Sequence, residues 1–496
     1  MCAWAWGDSF DCYAAAADAV LGYWDSGTTT GINLVAGRFA GSQGIQGVAA
    51  VAYLVKSSGS NDSVHHLAVA FRQATALSGT SLGMALQLID GTTSQCSIVF
   101  RSDGAILLTS GGTAGAALAT YAGAVTAINT WYQFEFEVVV HNSTGSFKVR
   151  KNGNTTEDHT TTGIDTAGGT VNNYANKLQV GGGANVAAIT SYFDDLYWRS
   201  DASSLPWWGD IKCMARAPAS DATVQFSRTP TSNTQSPFAS STTNAISTGS
   251  NNARYTPFVA AYDGTISTAT VTLGTGYTGN MKATIFASSG SAPTTVLGSA
   301  TVLNNPAAGA NTLTFGTPVP VIKGTQYWIG FASDTASGQW SVSASTSGAT
   351  STTVYASFPA ASPSTSATSS VICSLTIALA GNFAAVYEAQ QDATTSYVYD
   401  SVPGHADLYG IAAIASTPLT TFAVTTRAYM IKSDAGTRTA AVQLKSGSST
   451  VASPTVVLTT SNWQWAWRHD TTDPATSSAW TAAAVNLVQV GPVVIA

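Results

Sequence analysis

The stretch WYQFEFEVVV, residues 131–140, decides the fold class of this chain. Large apolar residues occupy every second position within it, at Tyr132, Phe134, Phe136 and Val138. Side chains of a β-strand point alternately to its two faces, so these four residues share one face. The polar residues between them fall on the opposite face. We therefore predict a half-buried antiparallel strand over residues 131–138.

A second strand is predicted just downstream, at GSFKVRK, residues 145–151. It runs into Asn152-Gly153, a dipeptide that adopts positive φ and therefore suits a hairpin turn. Residues typical of helix surfaces are scarce, because Lys is rare and Glu occurs at four positions in the whole chain. We predict an all-β, multi-domain protein of antiparallel β-sandwiches and jelly rolls, without long helices.

The chain has 496 residues, of which 9% are charged, against roughly a quarter in an ordinary globular domain. Aromatic residues make up 10%, more than a disordered chain carries. The formal charge is −6, and the longest basic cluster is KVRK at residues 148–151, so nucleic acid is not an expected partner. Apolar runs such as residues 48–55 are well short of the roughly 18 residues of a spanning helix, so membrane insertion is not expected.

The first residues, MCAWAWGD, have neither a basic segment nor a long apolar segment, so we expect synthesis in a cytoplasm without a secretory signal. The five cysteines are far apart in the sequence: Cys2, Cys12, Cys96, Cys213 and Cys373. This spacing fits neither a zinc site nor a disulfide framework. We predict that they are buried free thiols.

Changes in composition divide the chain. Residues 229 to about 379 carry almost no charged side chains, whereas the flanking regions do. We place boundaries near Leu205-Pro206, near Thr229 and near Asn382. The predicted domains are residues 1–205, a split C-terminal β-sandwich made of residues 206–228 and 382–496, and an inserted β jelly roll at residues 229–381.

Three motifs stand out in residues 1–205: GDSFDCY at 7–13, the two predicted strands at 131–153, and YFDDLYW at 192–198. In this order and spacing they resemble the concanavalin A-like, laminin-G-type jelly roll that occurs in many tailed-bacteriophage virion proteins. In that family the first and last strands are neighbours. The resemblance therefore implies that the first and third motifs pair and close the sandwich.

The rest of the chain carries two further resemblances. GDIKC at 209–213 and PASD at 218–221 resemble the segment that follows this jelly roll in phage proteins. That segment's continuation resumes at YE 387–388, SYV 396–398, ADLY 406–409, KSDAGTR 432–438, DPAT 473–476 and AWT 479–481. The insert is similar to small jelly rolls of phage appendages and carbohydrate-binding modules, at KATIF 282–286, PTTVL 293–297 and VPVIKGTQYWIG 319–330. Together they imply a virion structural protein.

Glu135 and Glu137 are the obvious candidate carboxylate pair for sugar hydrolysis, which some concanavalin A-like folds catalyse. The motif of those glycosidases is Glu-x-Asp-x-x-Glu. If Glu135 opens it, Glu137 stands at the Asp position and Val140 at the position of the acid/base. We therefore predict that the pair is a solvated strand face and that the chain has no catalytic residues.

Asp8, Asp11, Asp194 and Asp195 would cluster if the terminal strands pair, and such a cluster suits calcium. Alternation of a polar face with a buried face explains the same residues without a metal. The six histidines share no metal-ligand spacing. We predict no cofactor, and we assign no residue as a metal ligand.

Trp463, Trp465 and Trp467 alternate with Gln464 and Ala466, which places three indoles on one face of a strand. Such a row can stack on sugar rings, form part of a core or contact another subunit. These tryptophans are the candidate glycan-binding or subunit-contact residues of the chain.

We interpret the chain as a non-enzymatic structural protein of a tailed-bacteriophage virion. The favoured role is an external fibre, spike or collar component that contributes to adhesion to host-surface glycans. The alternatives are a capsid decoration protein, a polysaccharide-degrading appendage enzyme, and a tail or baseplate structural protein. The expected partners are other virion proteins, host polysaccharide and further copies of the chain, as a homo-oligomer and specifically a trimer.

Overall fold

A computed structural model describes residues 4–168, 170–183, 186–201, 203, 206–236, 244–249, 252–343, 348–360, 363, 366–386, 395–414 and 420–496. The strands pair in antiparallel ladders, which confirms the predicted all-β, multi-domain class. Within these residues the α-helical structure is the single turn α1 (Ala482–Val485), and short 3₁₀ turns lie at Ala16–Val20, Val186–Ala188, Tyr355–Ser357 and Phe383–Ala385. None of the described helices has the length and apolar character needed to cross a membrane.

The chain forms two compact units. The first comprises Met1–Ala217, Glu388–Asp392 and Ser401–Ala496, and the second comprises Pro218–Tyr387 and Ala393–Asp400. The predicted division into three domains stays a prediction. Leu205, at one predicted boundary, and the Tyr387-Glu388 motif lie outside the described residues.

The N-terminal part of the first unit is a two-sheet sandwich. Its strands are β1 (Trp4–Asp8), β2 (Ser26–Thr28), β3 (Ile32–Ala36), β4 (Gln43–Gly47), β5 (Tyr53–Asp62), β6 (Val64–Gln73), β7 (Leu82–Asp90), β8 (Thr93–Arg101), β9 (Ile106–Ser110), β10 (Ala117–Tyr121), β11 (Trp131–Val139), β12 (Gly145–Lys151), β13 (His159–Ile164), β14 (Ala175–Gly182) and β15 (Ser191–Asp201). One sheet has the order β13-β12-β11-β6-β15-β4-β3, with β1 also paired to β15, and the other has the order β10-β9-β8-β7-β14-β5-β2.

The predicted strand pair at the centre of the first sheet is confirmed. Strand β11 covers the stretch WYQFEFEVV and pairs with β12, in the register Phe136 to Val149. Asn152 and Gly153 after β12 both have positive φ, 53° and 74°. The four apolar side chains of β11 belong to the buried core of the sandwich, where Phe71 of β6 stacks on Phe100 of the opposite sheet at 4.1 Å. This core therefore joins the two sheets.

The second unit contains two large sheets and a small two-stranded sheet. Its strands are β16 (Pro218–Thr223), β17 (Ser227–Thr229), β18 (Ser232–Gln235), β19 (Asn244–Ser247), β20 (Ala253–Val259), β21 (Gly264–Thr275), β22 (Asn280–Ser288), β23 (Pro293–Ser299), β24 (Leu303–Asn304), β25 (Gly309–Val321), β26 (Gln326–Ser333), β27 (Gln339–Val342), β28 (Gly348–Ser351), β29 (Ser366–Thr368), β30 (Cys373–Leu379) and β31 (Tyr397–Tyr399). One large sheet has the strand order β18-β30-β21-β27-β19, with β25 beside β21. The other has the order β23-β22-β26-β20-β28-β29, with β24 beside β22. The small sheet pairs β17 with β31. Side chains from both large sheets form a shared core that includes Ile266, Phe331 and Trp340.

The C-terminal part of the first unit adds a small sheet and a hairpin. Its strands are β32 (Leu408–Ile411), β33 (Val424–Met430), β34 (Arg438–Ser446), β35 (Ser449–Ala452), β36 (Val456–Leu458), β37 (Gln464–Asp470) and β38 (Gln489–Val494). The sheet contains β32-β38-β34-β35, with β36 beside β34. Strands β33 and β37 form a separate two-stranded antiparallel ladder, although β34–β36 lie between them in the sequence, and this ladder is called the hairpin below. The hairpin packs on the sandwich, because Trp465 belongs to the sandwich core.

A buried ion pair fixes this hairpin to the start of the chain. The Asp8 carboxylate accepts hydrogen bonds from the Tyr13 hydroxyl at 2.6 Å, Trp24 Nε1 at 2.9 Å and the Phe10 amide at 3.0 Å. The Arg427 guanidinium of β33 approaches the same carboxylate at 3.3 Å and lies over the Tyr23 ring at 4.2 Å. Asp8 itself sits in β1, which pairs with β15 as the resemblance of the terminal motifs implies.

Replacing Arg427 with Met should destabilise the first unit by about 3–5 kcal/mol, because it leaves the Asp8 carboxylate buried without its cation. Urea denaturation followed by tryptophan fluorescence measures the change. The matched control is Arg438→Met, since Arg438 and Asp434 form an exposed pair on β34 and its flanking loop that is expected to contribute at most about 1 kcal/mol. Equal losses in the two variants would contradict the assigned role of Arg427.

His65 of β6 is a second buried group with a defined charge state. Its Nδ1 accepts a hydrogen bond from Trp198 Nε1 at 3.3 Å, and its Nε2 lies 2.9 Å from the Asp62 carbonyl oxygen, so Nε2 carries the proton. Burial lowers the pKa of His65 from 6.5 to about 4, outweighing the opposite effect of Asp62. The folded protein therefore holds this histidine neutral.

A histidine whose pKa is lowered by folding stabilises the folded state above its unfolded pKa, and that stabilisation is lost as the pH falls through the folded pKa. When the pH is lowered from 6.5 to 4, His65 becomes protonated in the unfolded state but stays neutral in the folded state until the pH approaches 4. Its contribution should therefore reduce the free energy of unfolding by about 3 kcal/mol over this range. Urea denaturation at pH 7 and pH 4.5, compared with His65→Gln, measures this slope. The variant should lose less stability on acidification than the parent, and an unchanged slope would assign the acid sensitivity to other groups.

Candidate functional site

The structure brings the three candidate tryptophans together on the β33–β37 hairpin. Trp465 is 6% exposed, and its Nε1 donates to the Asp18 carbonyl oxygen at 3.0 Å. Trp467 is half-buried and donates from Nε1 to the Gly22 carbonyl oxygen at 3.1 Å. Trp463, immediately before β37, is also half-buried. Whether these residues bind a glycan or another subunit stays a prediction.

Three neighbouring side chains hold the half-buried indoles in place. The Trp463 ring stacks on Tyr429 of β33 with the ring centroids 5.1 Å apart and the planes inclined by 17°. The Lys56 ammonium lies 4.3 Å from the centroid of the Trp467 ring, and Tyr23 meets that ring edge-on at 5.4 Å. The rings are therefore preorganised before any ligand arrives.

A groove of about 830 Å³ runs beside this hairpin. Its walls come from the hairpin, from the loops that flank it and from the N-terminal segment at residues 20–22. The lining residues are Ala5, Val20, Leu21, Gly22, Pro454, Val456, Asn462, Trp463, Gln464, Trp465, Trp467, Arg468, His469 and Thr471. The sequence pattern gave no signal for the N-terminal wall, since it lies more than 400 residues from the tryptophans.

The titratable groups of the lining carry no free charge at neutral pH. Arg468 donates from Nε to Asp470 at 2.7 Å, from Nη2 to the same carboxylate, and from Nη1 to the Ala452 carbonyl oxygen. Burial lowers the pKa of His469 to about 4, and its ring contacts the hydroxyls of Tyr197 at 3.1 Å and Thr425 at 2.8 Å. Lys56, which lies over the Trp467 ring, is paired with Asp25 at 2.9 Å. The groove is therefore aromatic and polar, and the cations in and beside its lining are held by protein groups.

Glu135 and Glu137 correct the prediction of a solvated strand face. Each is only 2% exposed. The Glu135 carboxylate accepts hydrogen bonds from the backbone amides of Trp208 and Gly209, the second at 3.0 Å. Glu137 accepts from Lys148 Nζ at 2.7 Å and lies 3.0 Å from His66 Nε2. The outer face of this sheet is buried because a later segment of the chain covers it.

That covering segment, residues 206–213, is called the strap below. Arg38 donates from Nη2 to both oxygens of the Asp210 carboxylate, at 2.7 and 2.9 Å. It also donates from Nη1 to the Ile211 carbonyl oxygen at 3.1 Å. The rings of Trp207 and Trp208 lie under the guanidinium groups of Arg150 and Arg199, at 4.5 and 4.7 Å. Sequence reasoning missed the strap, because nothing in residues 206–213 indicates the sheet face on which they lie.

Burial shifts the pKa values of the groups under the strap. It raises the pKa of the Glu135 carboxyl, although the two strap amides act in the opposite direction. It lowers the pKa of His66, although Glu137 acts in the opposite direction. His66 Nδ1 is buried and has no hydrogen-bond partner. The folded state therefore favours the neutral imidazole.

The four aspartates that suggested calcium each bind protein groups. Asp194 accepts from the Arg38 amide at 2.6 Å and from the Asp195 amide at 2.7 Å, and Asp195 accepts from the Cys213 amide at 2.7 Å. Asp11 accepts from the Gln43 amide at 2.7 Å. Burial, and then the neighbouring Asp195, raise the pKa of Asp194. In the described part of the chain, no three His, Cys, Asp or Glu side chains are arranged to hold a metal ion.

The cysteines only partly match the prediction of buried free thiols. Cys96 and Cys373 are free and buried. Cys12 and Cys213 are free but only half-buried. The Arg427 guanidinium donates to Cys12 Sγ at 3.3 Å, and the Cys213 amide donates to Asp195. Cys2 lies outside the described residues.

No protein-family model matches the chain, and no curated protein sequence matches it. Among solved structures, the cellulose induced protein Cip1 is similar over 40% of this chain and 93% of its own, at 15% identity and a TM-score of 0.27. The CBM2 module of the evolved Dit of Lactobacillus casei BL23 phage J-1 is similar over 36% and 94%, at 12% identity and 0.25. A carbohydrate esterase of the Shiga toxin-encoding bacteriophage phi24B is similar over 34% and 90%, at 14% identity and 0.25.

Replacing Glu135 with Gln should loosen the strap, because the new amide group places a donor against one of the two backbone amides that the carboxylate now binds. The expected loss of stability is about 1–3 kcal/mol. Hydrogen exchange at the amides of Trp208 and Gly209 measures the local effect. Asp434→Asn is the control, since Asp434 forms an exposed pair with Arg438 of β34. Unchanged exchange in Glu135→Gln would show that the strap does not depend on this carboxylate.

Proposed function

We propose that the chain is a structural protein of a tailed-bacteriophage virion, an external fibre, spike or collar component that contributes to adhesion to host-surface glycans. The observation that carries this proposal is the groove with its preorganised indoles. Indole faces stack on the apolar faces of sugar rings, and amide and hydroxyl side chains bond their hydroxyl groups. The motif resemblances of the sequence supply the virion context.

The proposed role is non-enzymatic. The two carboxylates nearest to a glycosidase pattern are both engaged in binding other parts of the chain, Glu135 the strap and Glu137 the side chains of His66 and Lys148. A hydrolase needs its carboxyl groups to flank a bound sugar on an open surface. This engagement supports adhesion over depolymerase activity.

Adhesion through shallow contacts requires many copies. Each stacking or hydroxyl contact is weak, and linked copies on one particle raise the overall affinity by orders of magnitude without any new contact. We therefore propose a homo-oligomer, specifically a trimer, held by other virion proteins. Some apolar side chains are largely exposed, such as Leu487 at 76% and Val171 at 88%. They are candidates for burial in contacts between copies of the chain or with other virion proteins.

Imaging of intact particles, at a resolution that locates this chain, tests the proposal. We expect the chain to project from the neck or tail with the groove facing outwards. We also expect the purified protein to compete with particles for adsorption to host cells. A chain that lies flat at the lattice sites of the shell would instead establish capsid decoration, and a position inside the tail or baseplate would establish a purely structural role.

A further inference from the structure

We propose that the groove beside the β33–β37 hairpin is a binding site for an uncharged oligosaccharide, and that Trp463 and Trp467 are its two stacking platforms. This inference rests on the proposed function and specifies its ligand. It also assigns Trp465 a different role. Trp465 is buried and bonded to Asp18, so it forms the floor of the groove and holds the N-terminal wall in place.

The protein covers part of each platform and leaves part of it exposed. Tyr429 stacks on the Trp463 ring, and Lys56 lies over the Trp467 ring. Both indoles are half-buried and line the groove. A ligand in the groove therefore contacts the exposed part of each ring. Fixed rings bind with little loss of side-chain freedom, which favours recognition by stacking.

The spacing of the platforms selects a chain of sugars over a single sugar. Trp463 and Trp467 are four residues apart on an extended segment, which corresponds to about 13 Å at about 3.3 Å per residue. One sugar ring is too small to contact both platforms. An oligosaccharide that follows the strand contacts both, so its affinity should rise with chain length until the two platforms are occupied.

The charge of the groove selects an uncharged ligand. The Arg468 guanidinium is held by Asp470 and by a backbone carbonyl oxygen, and His469 is neutral. An acidic sugar would have to lose its hydration without gaining a free cation, which is costly. A neutral sugar loses only hydroxyl hydration, which amide and hydroxyl groups of the lining replace.

The size of the groove favours a small ligand over a second copy of the chain, because about 830 Å³ lies in the range of roughly 300–1,000 Å³ typical of small-ligand sites.

The test uses the full chain and a panel of uncharged gluco-, manno- and galacto-oligosaccharides of one to six rings, with oligogalacturonates as acidic counterparts. Affinity is measured by titration calorimetry for the parent, Trp463→Ala, Trp467→Ala and the control Trp207→Ala, a half-buried tryptophan of the strap. We expect at least tenfold loss in each groove variant, little change in the control, and partial recovery in Trp463→Phe, which keeps a flat ring. Thermal unfolding of each variant verifies that it is folded.

The outcomes separate the site from the function. If the parent binds a glycan and the groove variants bind it equally well, the proposed site is wrong, but the adhesion proposal still stands. Absence of binding to the whole panel overturns the neutral-glycan proposal, and adsorption competition then decides whether the adhesion proposal survives. Preference for the acidic series overturns the charge argument. Sedimentation experiments test for self-association. If the parent self-associates and Trp463→Ala does not, a second copy of the chain occupies the groove, and the glycan site is wrong.

Discussion

The burial of the Asp8 carboxylate is the constraint on which the arrangement of the first unit depends. A buried carboxylate is tolerated only when donors and a cation surround it. Near neighbours in the chain supply the donors, from Phe10, Tyr13 and Trp24, but the cation is Arg427, from more than 400 residues away. The ion pair therefore specifies where the C-terminal hairpin packs. Because the hairpin carries the tryptophans, the same ion pair also positions the groove.

Burial of carboxylates in this unit is not limited to Asp8. Within the sandwich, residues 4–201, six carboxylates are at most 8% exposed: Asp8, Asp11, Glu135, Glu137, Asp194 and Asp195. Five of them accept hydrogen bonds from backbone amides, and Glu137 binds the side chains of Lys148 and His66. Such contacts determine which loop lies on which sheet, since a buried charge is stable only with its own partners.

Patterns of neighbouring residues predict strands and their faces, but they do not predict contacts with distant parts of the chain. Alternation at residues 132–138 suffices to predict strand β11 and its core face, because burial of one face imposes a period of two. The same alternation cannot predict that Glu135 is buried, since its cover comes from Trp208 and Gly209 in the strap. Likewise, alternation places the three indoles of residues 463–467 on one face, but it does not predict that Trp465 is buried whereas Trp463 and Trp467 are half-buried. That distinction arises from Asp18 and Leu21, which bond to Trp465 from the opposite end of the chain.

The groove has a further property because its two walls come from distant parts of the sequence. Residues 20–22 form one wall and the hairpin forms the other, and the amide of Trp465 donates to the Leu21 carbonyl oxygen between them at 2.8 Å. A ligand that contacts both walls binds only when they are docked. Binding therefore stabilises the docked state by mass action, by about 2.7 kcal/mol at a free concentration of about 100 Kd. The contacts that would recognise the proposed ligand and the contacts that join the two ends of the chain are thus energetically linked.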